Sequence, residues 1–279
     1  MLIVIILMAL FFINESFPET KEAISFIEVD TYIHDTKTMK ALISVPEGEG
    51  PFPVIMLIHG GAFNNGNRAH FDKTLFEHYL EQGIAVMSVE YRLVKEGGKH
   101  PEAIKDCMHN LHWLIDHAEK YRFDSSRVVI QGSSAGSYLA MMLALTSERN
   151  IFQPDFGPYQ DRKARVKAVI SSAAMYDWTV INNGSKYIGT YRENLTASPV
   201  NLAQSGTCQH FLLLGGDSDT TWSPPSSAKV MQTNLEAAGN TCELHLKTNQ
   251  THPALYDDFK EFSIWALPII DAFLEKYVL

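Results

Sequence analysis

The stretch Val128–Leu145, VVIQGSSAGSYLAMMLAL, decides the fold because it reads as a strand that runs directly into a helix. Its first residues are β-branched and apolar, whereas the residues after Gly136 are good helix formers. Between the two lies GSSAG, in which Gly132 and Gly136 flank two serines. A chain that passes from strand to helix over so few residues must turn sharply, and glycines allow this because they carry no Cβ atom.

The order Gly-x-Ser-x-Gly between a strand and a helix is typical of a nucleophile elbow, with Ser134 as its central residue. We expect Ser134 to have a strained backbone and a hydroxyl that projects above the sheet. The positive end of the helix that begins there would stabilise an anion nearby. The Ser133 side chain would then point away from the nucleophile and have a structural role.

Outward from this stretch, short apolar runs alternate with helical patterns. The runs are short and mostly continuous in apolar residues, which indicates parallel strands covered on both faces. They are PVIMLIHGG, IAVMSVEYR, RVVIQGS, VKAVISSA, HFLLLGG and CELHLK. Helical periodicity is found at residues 101–120, 227–238 and 267–278. The chain is therefore predicted to be an α/β protein with a mostly parallel sheet and helices on both faces.

Two segments near the start differ from this pattern. FIEVDTYIH and TMKALISVP alternate apolar and polar residues, which predicts antiparallel strands at the beginning of the sheet. Before them, the thirteen apolar residues MLIVIILMALFFI have the length of a signal-peptide core. We expect residues 1–20 to be a signal peptide of a secreted or periplasmic protein. The alternative is a buried N-terminal strand in a cytoplasmic protein. Residues 21–279 are expected to form one domain, since no linker or repeat interrupts them.

Composition excludes some classes of partner. The 279 residues carry a formal net charge of −9 and contain no basic run, which argues against a nucleic-acid partner.

Three cysteines are too few for a disulfide scaffold. Cys107 is predicted to lie in the core. Cys208 and Cys242 precede neighbouring runs, so the sequence leaves open whether they form a disulfide or remain reduced.

Chemically useful residues follow several of the predicted strands. Ligands collect beyond the carboxyl ends of the strands in an open parallel sheet. The turn His59–Phe63, Ser134, the turn Gly216–Asp219 and His252 all follow such strands. One hydroxyl, one or two carboxylates, one imidazole and two glycine-rich turns are therefore expected at one edge.

A serine hydroxyl needs a base and an orienting carboxylate to become a nucleophile. His252 is the best-placed base because it follows the last strand. For the carboxylate, the spacing leaves Asp219 and Asp217 open, with Asp219 slightly ahead. This chemistry requires no metal and no cofactor.

The HGGAF turn is predicted to complete the site. The tetrahedral intermediate of acyl transfer carries an oxyanion that preorganised N–H donors stabilise. The backbone amides of Gly60, Gly61 and Ala135 are the candidate donors. His59 is expected to shape the turn rather than to titrate.

One other histidine cluster has the spacing of a metal site. His109, His112 and Asp116 share a face of the predicted helix at residues 101–120. Because this face lies opposite the apolar stripe, we expect a solvated surface and no metal.

These motifs, in this order, resemble an α/β-hydrolase of the esterase/lipase class. They are HGGAF, YRL at Tyr91–Leu93, GSSAG and GGDSD followed by a histidine. From about Phe26 to the C-terminus, the chain resembles esterases that act on carbohydrate esters, a group that includes bacterial feruloyl and acetyl-xylan esterases. The resemblance implies an α/β-hydrolase fold, with Ser134 as nucleophile, His252 as base and Asp219 as acid. The chain departs from the pattern at Ala62, where the lipase loop often has a third glycine, and we expect no large N-terminal cap of the kind found in the hormone-sensitive-lipase group.

Substrate choice is expected to come from residues 173–209, which form a long connection that roofs the pocket. Tyr176, Trp178 and Trp222 are predicted to stack on a sugar or an aryl acid, together with Tyr187 and Tyr191. The alternative is that these rings pack the roof itself.

The sequence therefore predicts a serine carboxylesterase that acts on small-molecule or polysaccharide-linked esters. It leaves open whether the protein forms a homodimer. An arylformamidase or a serine exopeptidase of the same fold would use the same three residues. A hydrolase-like binding module would be expected to lack one of them.

Overall fold

The computed structural model of the chain describes residues 24–34, 37–149, 151–160, 162–181, 186–190, 195–203, 208–252 and 261–279. Its strands are β1 Ile27–His34, β2 Lys37–Ser44, β3 Phe52–Ile58, β4 Ala85–Val89, β5 Phe123–Ser133, β6 Ala168–Ser172, β7 His210–Gly216 and β8 Thr241–Lys247. Its α-helices are α1 Lys73–Glu81, α2 Glu102–Asp116, α3 Ala118–Tyr121, α4 Ala135–Thr146, α5 Pro225–Ala237 and α6 Glu261–Tyr277.

The eight strands form one sheet in the order β1-β2-β4-β3-β5-β6-β7-β8. The pairs β1/β2 and β2/β4 are antiparallel, and every other pair is parallel. This confirms the predicted α/β-hydrolase architecture, including the antiparallel strands at its beginning. The six apolar runs are β3 to β8, and the two alternating segments are β1 and β2.

Helices cover both faces of the sheet. Side chains of α1 and α6 belong to the apolar cluster on one face, and side chains of α2, α4 and α5 belong to the cluster on the other. All residues of α4 are buried, which explains why the sequence after the elbow is apolar on every side. The strand and helix that carry the elbow are thus in the centre of the molecule.

The prediction that His109 and His112 lie on a solvated surface is wrong. Each side chain is only 1% exposed. Residues 151–160 fold over this face of α2, so that Phe156 stacks on His109 and Tyr159 packs edge-on against it. Helical periodicity identifies the face that meets the sheet, but it does not reveal a distant segment that covers the opposite face.

The burial of three histidine side chains predicts that the folded protein loses stability in acid. It lowers the pKa of His59, His100 and His109 from 6.5 to about 4 in the folded protein. Below pH 6.5 the unfolded chain takes up protons that the folded chain does not. The stability contributed by these neutral imidazoles is therefore present above pH 6.5 and is lost as the pH falls towards 4.

The variant His109→Phe tests this expectation, since phenylalanine keeps a flat ring between Phe156 and Tyr159. Urea unfolding at several pH values should show a slope of unfolding free energy against pH that is smaller by about one proton, roughly 1.4 kcal/mol per pH unit. An unchanged slope between pH 4 and 6.5 would contradict the assignment of a neutral, buried His109.

The predicted signal peptide at residues 1–20 lies outside the described residues. In the described ranges, no helix has the length and apolar character that a membrane span needs. Across the same ranges, no three His, Cys, Asp or Glu side chains lie close enough together to hold a metal ion.

Candidate active site

Ser134 stands alone between β5 and α4 with a backbone that few residues adopt. Its φ is +53° and its ψ is −117°, outside the regions favoured by residues with a Cβ atom. Two hydrogen bonds hold it there, because its N–H donates to the Ser172 carbonyl at 2.8 Å and its own carbonyl accepts from the Tyr138 N–H at 3.0 Å. The predicted backbone strain is present, and the end of β6 and the first turn of α4 sustain it.

The two flanking glycines are required for different contacts. A Cβ atom on Gly132 would lie closer than 3.0 Å to the Gly136 carbonyl, across the turn. A Cβ atom on Gly136 would lie equally close to the carbonyl oxygens of Ile58 and His59. Gly132 therefore allows the turn itself, and Gly136 allows the end of β3 to pack directly against the start of α4.

The elbow leaves its central serine accessible. Ser134 is half-buried, whereas Ser133 and Ala135 on either side of it are completely buried. This difference agrees with the predicted structural role of Ser133.

Three side chains that are distant in sequence form one hydrogen-bonded chain. His252 Nε2 lies 2.8 Å from Ser134 Oγ, although the two residues are 118 positions apart. On the other side of the ring, His252 Nδ1 lies 2.6 Å from Asp219 Oδ2. A carboxylate only accepts, so Nδ1 carries the proton and Nε2 is left to accept from the serine hydroxyl.

The loop after β7 keeps Asp219 ionised. Its carboxylate is 1% exposed and accepts the N–H groups of Thr221, Trp222 and Ser223. Burial acts to raise the pKa of Asp219, but the hydrogen bonds from His252 and from these amides outweigh it and lower the pKa below its ordinary 3.8. Asp219 is therefore a buried carboxylate at neutral pH and can stabilise a positive charge on His252.

The structure also distinguishes the two candidate carboxylates. Asp217 is exposed, and its side chain accepts a hydrogen bond from the Ser218 hydroxyl. Asp219 is the one that contacts His252. The prediction that favoured Asp219 by a small margin agrees with this geometry.

Gly216 brings the Asp219 loop and the His252 loop together, a role that the sequence reading did not assign to it. A Cβ atom on Gly216 would lie closer than 3.0 Å to the carbonyl oxygens of Gln250 and Thr251. These two residues directly precede His252. The doublet Gly215-Gly216 was the available signal, but the sequence does not reveal which backbone approaches it.

We expect Gly216→Ala to displace His252 from Ser134 and to lower kcat/KM by about 10²-fold, the usual effect of a misplacement of roughly 1 Å. Gly215→Ala is the matched control, because its Cβ would meet only the flexible tip of Leu246 at 3.3 Å. Ester hydrolysis and circular dichroism of both variants check this. Equal activities of the two variants would contradict the role of Gly216.

The predicted oxyanion donors are available. Within the part of the chain that the structure describes, the backbone N–H groups of Gly60, Gly61 and Ala135 have no protein acceptor. Ala135 is the first residue of α4, so its N–H also lies at the positive end of that helix. A negative oxygen bound beside Ser134 would supply the missing acceptor.

His59 shapes the glycine turn, as predicted. Its ring is buried, and Nδ1–H donates to the Gly60 carbonyl at 2.8 Å. Since burial lowers the pKa of His59 to about 4, the ring is neutral at physiological pH and serves as a fixed donor.

Three of the predicted substrate contacts, those of Tyr176, Trp178 and Tyr187, are wrong. Tyr176 is 1% exposed and Trp178 is completely buried. The Tyr176 hydroxyl pairs with Ser171, and the Trp178 ring packs against Tyr138 and Phe63. These aromatic residues of the 173–209 connection fill its interior, which is the alternative that the sequence left open.

The other predicted rings have different positions. Tyr187 is also buried, and it stacks on Phe63 with 3.7 Å between ring centroids. Trp222 is half-buried on the loop that holds Asp219 and is the remaining candidate for a substrate contact. Tyr191 lies outside the described residues.

The structure contains no disulfide between Cys208 and Cys242, both of which are free and buried, as is Cys107. Their strands are adjacent and parallel as expected, but Cys242 pairs in register with Phe211. Cys208 is three residues earlier than Phe211 and two residues before β7 begins, which corresponds to roughly 10 Å of extended chain. A disulfide requires Cα atoms within about 7 Å, so this register separates the thiols.

Comparison with known proteins gives the same fold. A family model described as BD-FAE matches residues 42–233. The probable carboxylic ester hydrolase LipM of Mycobacterium tuberculosis is 32% identical over 130 residues, which cover 47% of this chain and 29% of that protein. The matched region therefore spans less than a third of this relative.

Two solved structures cover nearly the whole chain. The propionate-bound esterase Est2 of Thermogutta terrifontis superposes with a TM-score of 0.76 at 20% identity, over 90% of this chain and 94% of that one. An acetyl ester-xyloside bifunctional hydrolase of Caldicellulosiruptor lactoaceticus gives 0.75 at 16% identity, over 90% and 96%. At these identities, the likeness establishes the fold.

Proposed function

The chain belongs to the BD-FAE family, and on that premise we propose that it is a serine carboxylesterase that cleaves esters through an acyl-enzyme. The observation that carries the proposal is the hydrogen-bonded chain from Ser134 through His252 to Asp219. A serine on a strained turn, a neutral imidazole that accepts its proton and a buried carboxylate behind that imidazole together activate the hydroxyl.

The first half of the reaction forms the acyl-enzyme. His252 Nε2 takes the proton of Ser134 as Oγ bonds to the ester carbonyl carbon, and the carbonyl π electrons move to its oxygen. The amides of Gly60, Gly61 and Ala135 bind this oxyanion. When the carbonyl re-forms, the bond to the alcohol oxygen breaks, and His252 returns the proton to the leaving alcohol.

The second half repeats these steps with water. His252 removes a proton from water, whose oxygen attacks the acyl carbon, and the imidazolium then protonates Ser134 Oγ as the carboxylic acid leaves. Asp219 stabilises the imidazolium in both halves and keeps Nδ1 protonated throughout. All groups in this scheme belong to the chain itself.

For the substrate, we propose a small ester or an ester on a carbohydrate. The name of the relative LipM, a probable carboxylic ester hydrolase, supports the reaction class. The carbohydrate part rests on the motif resemblance, and Trp222 is the proposed ring contact because it is half-buried beside Asp219.

A substrate panel separates this proposal from its alternatives. It contains p-nitrophenyl esters of increasing chain length, methyl ferulate, acetylated xylan, N-formylkynurenine and a peptide anilide. We expect hydrolysis of esters, with kcat/KM at least 10²-fold above that for the other two substrates. Preference for N-formylkynurenine would identify an arylformamidase, preference for the anilide a peptidase, and no turnover at all a binding module.

Export and assembly are separate parts of the proposal. The apolar run at residues 1–13 supports secretion through a signal peptide at residues 1–20. Fractionation of expressing cells and N-terminal sequencing of the mature protein test this. Light scattering of the purified protein distinguishes a monomer from the homodimer that the sequence leaves open.

A further inference from the structure

Tyr91 lies behind the glycine turn, just beyond the end of β4. Its side chain is 1% exposed, and its ring stacks on His59 with 4.3 Å between centroids and 16° between planes. Its hydroxyl lies 3.0 Å from the His59 carbonyl oxygen and 3.3 Å from that of Gly60. One buried hydroxyl therefore contacts two consecutive carbonyl groups of the turn.

These carbonyls determine where the oxyanion donors point. The His59–Gly60 and Gly60–Gly61 peptide bonds are trans, so each carbonyl is directed opposite to the N–H of the same peptide unit. When both carbonyls face Tyr91, the N–H groups of Gly60 and Gly61 face the other way. The Gly136 contact with the His59 carbonyl keeps this turn against the start of α4, next to Ala135.

The turn needs such a restraint because glycine peptides rotate easily. Gly61 already has a φ of +97°, and glycine accepts both signs of φ at little cost. Rotation of either peptide plane would replace an N–H donor by a carbonyl oxygen and would repel an oxyanion. The His59 Nδ1–H already restrains the Gly60 carbonyl at 2.8 Å, and the Tyr91 hydroxyl adds a donor that also reaches the His59 carbonyl, so rotation of both planes is disfavoured before the substrate binds.

We propose that Tyr91 is a positioning residue whose hydroxyl holds the Gly60 and Gly61 amides in the orientation that binds the oxyanion. This inference rests on the proposed serine-esterase function, and it deepens that function by assigning a role to the tyrosine of the YRL motif. The hydroxyl touches neither the substrate nor the reacting atoms and acts only through the two peptide planes.

The test compares Tyr91→Phe with Tyr79→Phe. Tyr79 is the matched control, because it is also fully buried and donates its hydroxyl to Gln131, but it lies on α1 in the apolar cluster on the opposite face of the sheet. Both variants lose one buried tyrosine hydroxyl, and thermal unfolding measures the stability that each loses. A variant that changes only stability should leave kinetics on a p-nitrophenyl ester unchanged.

We expect Tyr91→Phe to lower kcat by about 10- to 100-fold, part of the 10²- to 10³-fold that loss of a whole oxyanion donor costs. KM should change less than about twofold, since the oxyanion exists only beyond the ground state. The Ki of a trifluoromethyl ketone, which forms a tetrahedral oxyanion on Ser134, should rise by the same factor as kcat falls. Tyr79→Phe should leave all three constants at wild-type values.

A second variant controls for disturbed packing at position 91 and remains informative if Tyr91→Phe does not fold. It carries 3-fluorotyrosine, which keeps the ring and a hydroxyl that donates at least as strongly, and we expect at least half of the wild-type kcat. Wild-type kcat and Ki in Tyr91→Phe, or equal changes in both phenylalanine variants, would overturn the role of Tyr91 while leaving the esterase intact. A wild-type protein without Ser134-dependent hydrolysis would overturn both proposals.

Discussion

Replacement of Ser134 by alanine is expected to lower kcat for ester hydrolysis by about 10⁶-fold, the cost of removing the nucleophile from a serine hydrolase. The variant keeps its Cβ atom, and the hydrogen bonds from the Ser134 N–H to Ser172 and from Tyr138 to the Ser134 carbonyl involve only the backbone. Folding should therefore be unchanged. Residual hydrolysis above the rate in water would come from the oxyanion donors and from substrate binding.

The neighbouring serine provides the control. Ser133→Ala removes a hydroxyl one residue earlier and should retain activity within about tenfold, since that side chain is completely buried. A fluorophosphonate probe followed by peptide mass spectrometry should label the wild-type protein and Ser133→Ala on residue 134, and should not label Ser134→Ala. Near-normal turnover or labelling in Ser134→Ala would reject the assignment of the nucleophile.

The second large effect is expected for Asp219→Asn, with a loss of about 10⁴-fold in kcat. An asparagine amide would present N–H groups to His252 Nδ1, where the carboxylate now accepts at 2.6 Å. The imidazole would then carry its proton on Nε2 and could no longer accept the proton of Ser134. The rest of the loop should be retained in part, because the asparagine oxygen can still accept from Thr221 and Trp222.

Asp217→Asn is the corresponding control, since Asp217 lies on the same loop with its carboxylate in solvent. We expect its kcat and KM to equal those of the wild-type protein. Activities that rank the other way would make Asp217 the acid and would require a loop arrangement different from the one described.

The two variants also separate catalysis from stability. Ser134→Ala leaves Asp219 and its hydrogen bonds in place, so its unfolding free energy should match that of the wild-type protein. Asp219→Asn removes a buried carboxylate that accepts three backbone amides, and it should be less stable at neutral pH. Because the pKa of Asp219 is lowered on folding, this difference should be present above the ordinary pKa of 3.8 and should shrink as the pH falls below it.

Much of the fold and the core of the site could be predicted because the signals are local. Apolar runs that are short and mostly continuous indicate buried strands, and glycines at 132 and 136 indicate a turn without room for Cβ atoms. Parallel strands place their carboxyl ends at one edge, so the positions of Ser134, the turn Gly216–Asp219 and His252 after predicted strands were enough to predict that they lie together.

The errors share one physical cause. Tyr176, Trp178, His109 and His112 are all covered by segments that are distant in sequence or that fold back over them. An aromatic ring or an imidazole has the same local pattern whether it faces solvent, a ligand or another ring. The register of β7 and β8, which keeps Cys208 and Cys242 apart, is likewise a property of pairing between strands.

The sequence by itself predicted most of the strands and helices, the mostly parallel sheet and Ser134 as the candidate nucleophile, because these depend on steric freedom and periodicity over a few residues. Only the tertiary structure decided between Asp217 and Asp219, brought Gly216 against the His252 loop and placed Tyr91 behind the glycine turn. Each of these depends on a distance between atoms of separate segments, which the packing of the whole chain sets to within a few tenths of an ångström.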